Sequence, residues 1–184
     1  AVEKEDYAEA KELLLRAVGE YPHNLGEGKL ESGQENNLYY LLGLVQEKLG
    51  EAKDAFESLT RACCGESEPV GMMYYNDQPP EMIYYQGLAY RMLGEEEQAV
   101  RRFQKLVDYG REHIRDDVKI DYFAVSLPDL LIFEENLNER NRKHCLFMMS
   151  LGLKGLGRID EAEKCAEELL AMDNAHQEIR VHDL

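Results

Sequence analysis

Histidine, cysteine and serine carry much of the side-chain chemistry available near neutral pH, and this chain of 184 residues arranges few of them for it. The histidines are His23, His113, His144, His176 and His182. No two stand four apart on a helix, and none joins a cysteine or a carboxylate at zinc spacing. His113 and Asp117 have helical spacing and read as a surface pair. His176 and His182 fall near the end and read as solvated. The cysteines, Cys63, Cys64, Cys145 and Cys165, form no C-x-x-C motif, and adjacent Cys63 and Cys64 are poorly placed to bridge each other. They read as buried, reduced, apolar residues. Cys145 beside His144 is the one hint of a thiol with a base, but neighbouring helical residues diverge by about 100°. "GLKGLG" (152–157) mimics a phosphate loop without its preceding strand or its Lys-Ser/Thr. Ser126 and Ser150 lie in no nucleophile-elbow context. Glu95, Glu96 and Glu97 suit the first turn of a helix, where the dipole favours negative charge. No catalytic residue, metal site or cofactor is expected, and the chain reads as a non-enzyme.

The net charge of −16 argues against a nucleic-acid partner, which would need clustered Lys and Arg. No run approaches the ~18 apolar residues of a membrane span, and no basic start leads into a short apolar core. A cytoplasmic protein is expected, with no membrane partner. The first residue is Ala1, so a processed protein or an excised piece is expected.

The elements that would position any site come from a repeat. "GLAYRMLGEEEQAVRRFQKLV" (87–107) aligns with "GLVQEKLGEAKDAFESLTRAC" (43–63) and with "SLGLKGLGRIDEAEKCAEELL" (150–170). "DYAEAKELLLRAVGEYP" (6–22) matches the second half alone. Each unit reads as a helix, a glycine stop at Gly50, Gly94 or Gly157, and a second helix that opens on acids. Small residues, Gly43 and Gly87 on first helices and Ala55 and Ala99 on second ones, mark where helices approach closely. Tyr90 and Phe103 fill between pairs.

The pattern of Gly87, Tyr90, Gly94, Ala99 and Phe103 resembles the tetratricopeptide repeat, a unit of about 34 residues. Here the repeats are longer, with connections such as 22–37 and 64–80. The resemblance implies an all-α, right-handed α-solenoid, read as one domain over 1–184. Its parts are a half repeat (6–21), repeats at 36–66, 80–113 and 141–172, an insert at 114–140 and a tail at 173–184. Pro128 suits the start of a short helix within the insert. The resemblance extends to the C-terminal repeat region of larger bacterial proteins.

The function implied is a non-catalytic protein-interaction or scaffold module within a longer protein. The alternative is an accessory or dimerisation domain of a bacterial, carbohydrate-active enzyme with its catalytic part upstream. In solenoids the first helix of each pair lines the concave face. Away from the packing stripe stand Tyr40, Leu44 and Lys48, then Tyr84, Leu88 and Arg91, then Phe147, Leu151 and Lys154. Each triplet runs aromatic, leucine, base. Either they line one groove for an extended protein or peptide segment, or they belong to the core with the insert filling the groove. Glu47 interrupts the basic line. Relatives that clamp a terminal carboxylate use Lys and Asn here, where this chain has Tyr and Leu. The apolar face of 6–18 is expected to pair with a second copy or with an upstream segment.

Overall fold

The computed structural model describes residues 2–19, 34–71, 77–119 and 136–182. Among them the regular structure is helical, with no strand. After a short 3-10 turn come α1 (Tyr7–Gly19), α2 (Asn36–Lys48), α3 (Ala52–Ala62), α4 (Pro80–Met92), α5 (Glu96–His113), α6 (Leu137–Gly155), α7 (Ile159–Met172) and α8 (Gln177–Val181). This is the all-α, tetratricopeptide-like arrangement that the repeat implies. The chain forms two compact units, one of Ala1–Ser67 with Glu81–Arg102 and one of Glu68–Pro80 with Phe103–Leu184. Helix α5 contributes its first turns to one and the remainder to the other.

The glycine stops do what their positions suggest. Gly50, Gly94 and Gly157 have φ of 79°, 81° and 75°, in the left-handed region where a Cβ would be strained. Each closes the same pair of bonds. The glycine N–H donates to the carbonyl of Glu47, Arg91 or Lys154, and the next N–H donates to that of Gln46, Tyr90 or Leu153. This pair of hydrogen bonds satisfies carbonyls that the helix end would leave open. Acids then open the second helices: Asp54 in α3, Glu96 and Glu97 in α5, Asp160 and Glu161 in α7.

In the first unit, Ala10 and Leu14 of α1 pack on Leu42 and Val45 of α2. Leu59 and Ala62 of α3 cluster with Ala89 of α4. Gly43 is a point of close approach, since a Cβ there would stand 2.7 Å from Leu59 Cγ and 3.3 Å from the Ala55 carbonyl oxygen. Buried amides tie down the chain where helices end. Asn36 Nδ2 donates to the carbonyls of Ala62 (2.8 Å) and Cys64 (2.7 Å). Gln86 Nε2 donates to those of Cys64 (3.1 Å) and Glu66 (2.8 Å), while its Oε1 accepts from Arg102 Nε. Such groups would cost about 1–3 kcal/mol each if left unpaired.

In the second unit, α6 is buried almost continuously from Cys145 to Leu153. It begins at Leu137, because the Asn136 side chain accepts from the Glu139 N–H at 3.2 Å and caps it. Gly152 and Gly155 are contact points against Phe103 of α5, the former meeting its carbonyl oxygen and the latter its ring. Asn141 Nδ2 donates to the His113 carbonyl at the end of α5 (2.7 Å). The apolar centre of the insert and Pro128 lie outside the described residues.

Candidate functional site

The residues with chemical potential are used structurally. Cys145 is fully buried, and burial pushes its thiol up to about 12, away from a reactive thiolate. Neighbouring His144 points elsewhere, its Nε2 2.8 Å from the Val70 carbonyl oxygen, and burial lowers its pKa. Burial likewise raises Cys63 to about 12. Ser150 is buried and donates to the carbonyls of Leu146 and Phe147 (2.9 Å each). His113 pairs with Asp116 (2.6 Å) instead of Asp117, whose carboxylate is held by Asn138 and Lys119 and pulled below its ordinary pKa. Ser126 and His23 lie outside the described residues. Among the described residues no cluster of His, Cys, Asp or Glu is arranged to hold a metal ion, and no helix is long and apolar enough to cross a membrane.

The aromatic, leucine, base triplets fare unequally. In the first unit, α2 and α4 bring theirs together. The Tyr40 ring lies 5.4 Å from Tyr85, which meets Tyr84 edge-on at 5.7 Å. Tyr40 and Leu44 are half-buried, as is Leu88, and Tyr84 keeps 7% of its surface exposed. Burial raises the pKa of all three tyrosines, taking Tyr84 and Tyr85 to about 12. Arg91 stands close enough to Tyr40 and Tyr84 to oppose that rise. Its guanidinium forks onto Glu96 at 3.0 and 2.7 Å, which holds that carboxyl below its ordinary pKa. Lys48 and Glu47 are exposed at the end of α2. The result is an aromatic floor with one cation at its edge.

Tyr85 was absent from the sequence-derived triplets. Being next to Tyr84, it should face about 100° away on the helix; only the ring-to-ring distances show that it completes the cluster.

The third triplet sits in the core of the second unit. Leu151 is fully buried and Phe147 keeps 4% exposure. What covers Phe147 includes the C-terminal segment, with rings of His176 and His182 at 5.4 and 6.0 Å. Lys154 Nζ donates to the His182 carbonyl. The expectation of solvated terminal histidines is therefore corrected. Helix α8, anchored by buried Ile179, holds both against Phe147.

The helix pairs close on Gly50, Gly94 and Gly157 and approach closely at small residues such as Gly43 and Gly152. Residues 81–109, which cover α4 and most of α5, match the family model for the Tetratricopeptide repeat. Over these residues the chain is similar to a tetratricopeptide repeat, within an all-helical arrangement of its described residues. No solved structure matches it. Tetratricopeptide repeats serve in general as protein-interaction or scaffold modules, typically without catalysis of their own. In this repeat protein the matched residues include the Tyr84, Tyr85 and Arg91 side of the aromatic cluster.

Proposed function

We propose that this repeat protein is a non-catalytic interaction module that holds an extended segment of a protein partner on the α2–α4 face. The observation that carries the reading is the Tyr40–Tyr84–Tyr85 cluster with Arg91 at its edge. Tyrosines offer large contact area at low entropic cost, and Arg91 offers a planar fork for a carboxylate, with Glu96 as its internal stand-in. Leu44 and Leu88 extend the apolar strip, and Lys48 adds positive charge at the exposed end of α2. The partner segment carries an aromatic or aliphatic anchor and an acidic residue. Phe147, Leu151 and Lys154 stand outside this reading, because α8 already occupies their neighbourhood.

A displayed library of random peptides panned against the chain tests it. Enriched peptides should carry an acidic residue near a large apolar one, and Tyr40→Ala or Arg91→Ala should weaken them by roughly tenfold, the scale of one interface anchor. Peptides that bind both variants as tightly as the parent would remove the aromatic floor from the site. The exposed leucines of α1, Leu13 at 49% and Leu15 at 44%, favour a second role, association of two copies through residues 6–18.

A further inference from the structure

Helix α8 and its flanks carry a pattern with a period of three. Ile179 is buried at 1% exposure, and His176 and His182 are half-buried to either side of it. Gln177, Glu178, Arg180 and Val181 stand between them and are exposed, Val181 at 73%. Residues three apart share a helix face, so the segment presents ring, aliphatic, ring along one side. That side meets the third triplet. The His176 and His182 imidazoles lie against the Phe147 ring, and Lys154 Nζ donates to the His182 carbonyl. An aromatic and a base of α6 thus hold a short protein segment by its side chains and its backbone together.

The hold is slight. Five residues make about one and a half turns, far fewer than the ~12–15 at which an isolated helix becomes even marginal in water. His176, at its start, supplies no side-chain cap. Ile179 is the one fully buried side chain of 176–182. The segment therefore keeps its shape through the α6 face that it covers, and residues 173–176 tie it to the end of α7.

We infer that this α6 face is a second binding surface, for a short segment of another protein that carries a large aliphatic residue with a ring three positions to either side, and that residues 176–182 occupy it in cis until such a segment displaces them. The chemistry of the ligand is read from the segment already seated. It needs an aliphatic side chain in the place of Ile179, rings against Phe147 and a main-chain carbonyl for Lys154. Phenyl rings would fit the role better than imidazoles, because they bring no polar ring nitrogens to the contact with Phe147. A segment tethered by so short a link competes at an effective concentration of the order of mM. The displacing segment must therefore bind more strongly than residues 176–182 do. This surface shares no residue with the Tyr40–Tyr84–Tyr85 cluster.

Two synthetic peptides test the inference, one with the sequence of residues 173–182 and one with phenylalanine in the places of both histidines. Added to the full isotope-labelled chain, the phenylalanine peptide should shift amide resonances of residues 147–154 and move those of 177–181 toward unstructured values. The unaltered peptide should bind the same chain at least roughly tenfold more weakly, since it only matches the tethered copy. Ile179→Asp in the full chain disables the tethered segment, and both peptides should then bind at least roughly tenfold more tightly than to the parent. His176→Ala with His182→Ala loosens the segment without placing a charge in the core, and should act in the same direction. That double variant decides the matter if Ile179→Asp loses its helical circular dichroism. Val181→Asp, at an exposed position, should match the parent. Peptides that leave residues 147–154 unmoved in the folded variants, or that bind those variants no more tightly than the parent, overturn the inference.

Discussion

Tyr84 and Tyr85 are adjacent in sequence and jointly difficult to ionise. Removing the Tyr84 proton would place a charge in a largely buried ring cluster beside Tyr40, and burial accounts for most of the rise to about 12. Tyr85 rises to a similar value, again chiefly by burial. Unfolding exposes both to water and returns them to about 10, the ordinary tyrosine value. Between these values the folded state binds more protons than the unfolded one, so the slope of unfolding free energy with pH is negative. Their contribution is whole below about pH 10 and is lost as pH rises toward about 12. Urea unfolding measured across that window should show stability falling with pH, less steeply in a Tyr84→Phe/Tyr85→Phe variant. Equal slopes in parent and variant would mean that these hydroxyls titrate as they do in water. The sequence marked Tyr40, Tyr84 and Arg91 by helical spacing. It could not mark Tyr85, because a ring pair between helices depends on how two helices face each other.

The legible part of the fold is the part written in local rules. Gly50, Gly94 and Gly157 end helices because their backbone enters a region costly to other residues, and acids follow because helix starts attract them. Those signals need no knowledge of distant chain. The buried amides Asn36, Gln86 and Asn141 were illegible for the opposite reason, since each serves carbonyls more than 19 positions away or in another helix. The same holds for "GLKGLG", whose glycines mimic a phosphate loop in sequence. In the fold, Gly152 and Gly155 let α6 approach Phe103 of α5. A Cβ on Gly152 would fall 2.5 Å from the Phe103 carbonyl oxygen and 2.7 Å from Val107 Cγ2. Backbone cannot swing aside as a side-chain tip can, so the two helices must separate. Gly152→Ala should therefore destabilise by about 1–3 kcal/mol, even though alanine favours helix by up to ~1 kcal/mol. Gly19→Ala, with nothing among the described residues within 4 Å, provides the control and should be neutral or mildly stabilising. A Gly152→Ala midpoint in urea equal to that of the parent would mean that α5 and α6 have slack at this crossing.

For the whole molecule, two opposing terms decide whether copies associate. Leu13 and Leu15 present apolar surface on α1, whose other side, through Ala10 and Leu14, is already packed on α2. Burying surface of that kind favours contact at about 25 cal/mol per Å2. Against it stands a net charge of −16 on every copy. Like charges repel across a dimer interface, and the repulsion reaches about 30 Å at 0.01 M salt but only about 3 Å at 1 M. The apolar term scarcely weakens over that range, so salt should reveal it. Sedimentation equilibrium is expected to show an average mass that rises with protein concentration, more strongly at about 1 M sodium chloride than at about 0.01 M. A Leu13→Asp/Leu15→Asp variant should remain monomeric at both. These side chains are half exposed, so the substitutions leave the α1–α2 contacts intact and a loss of association reports on the surface itself. A parent chain monomeric at every salt, or association undiminished in the double variant, would reject residues 6–18 as the contact.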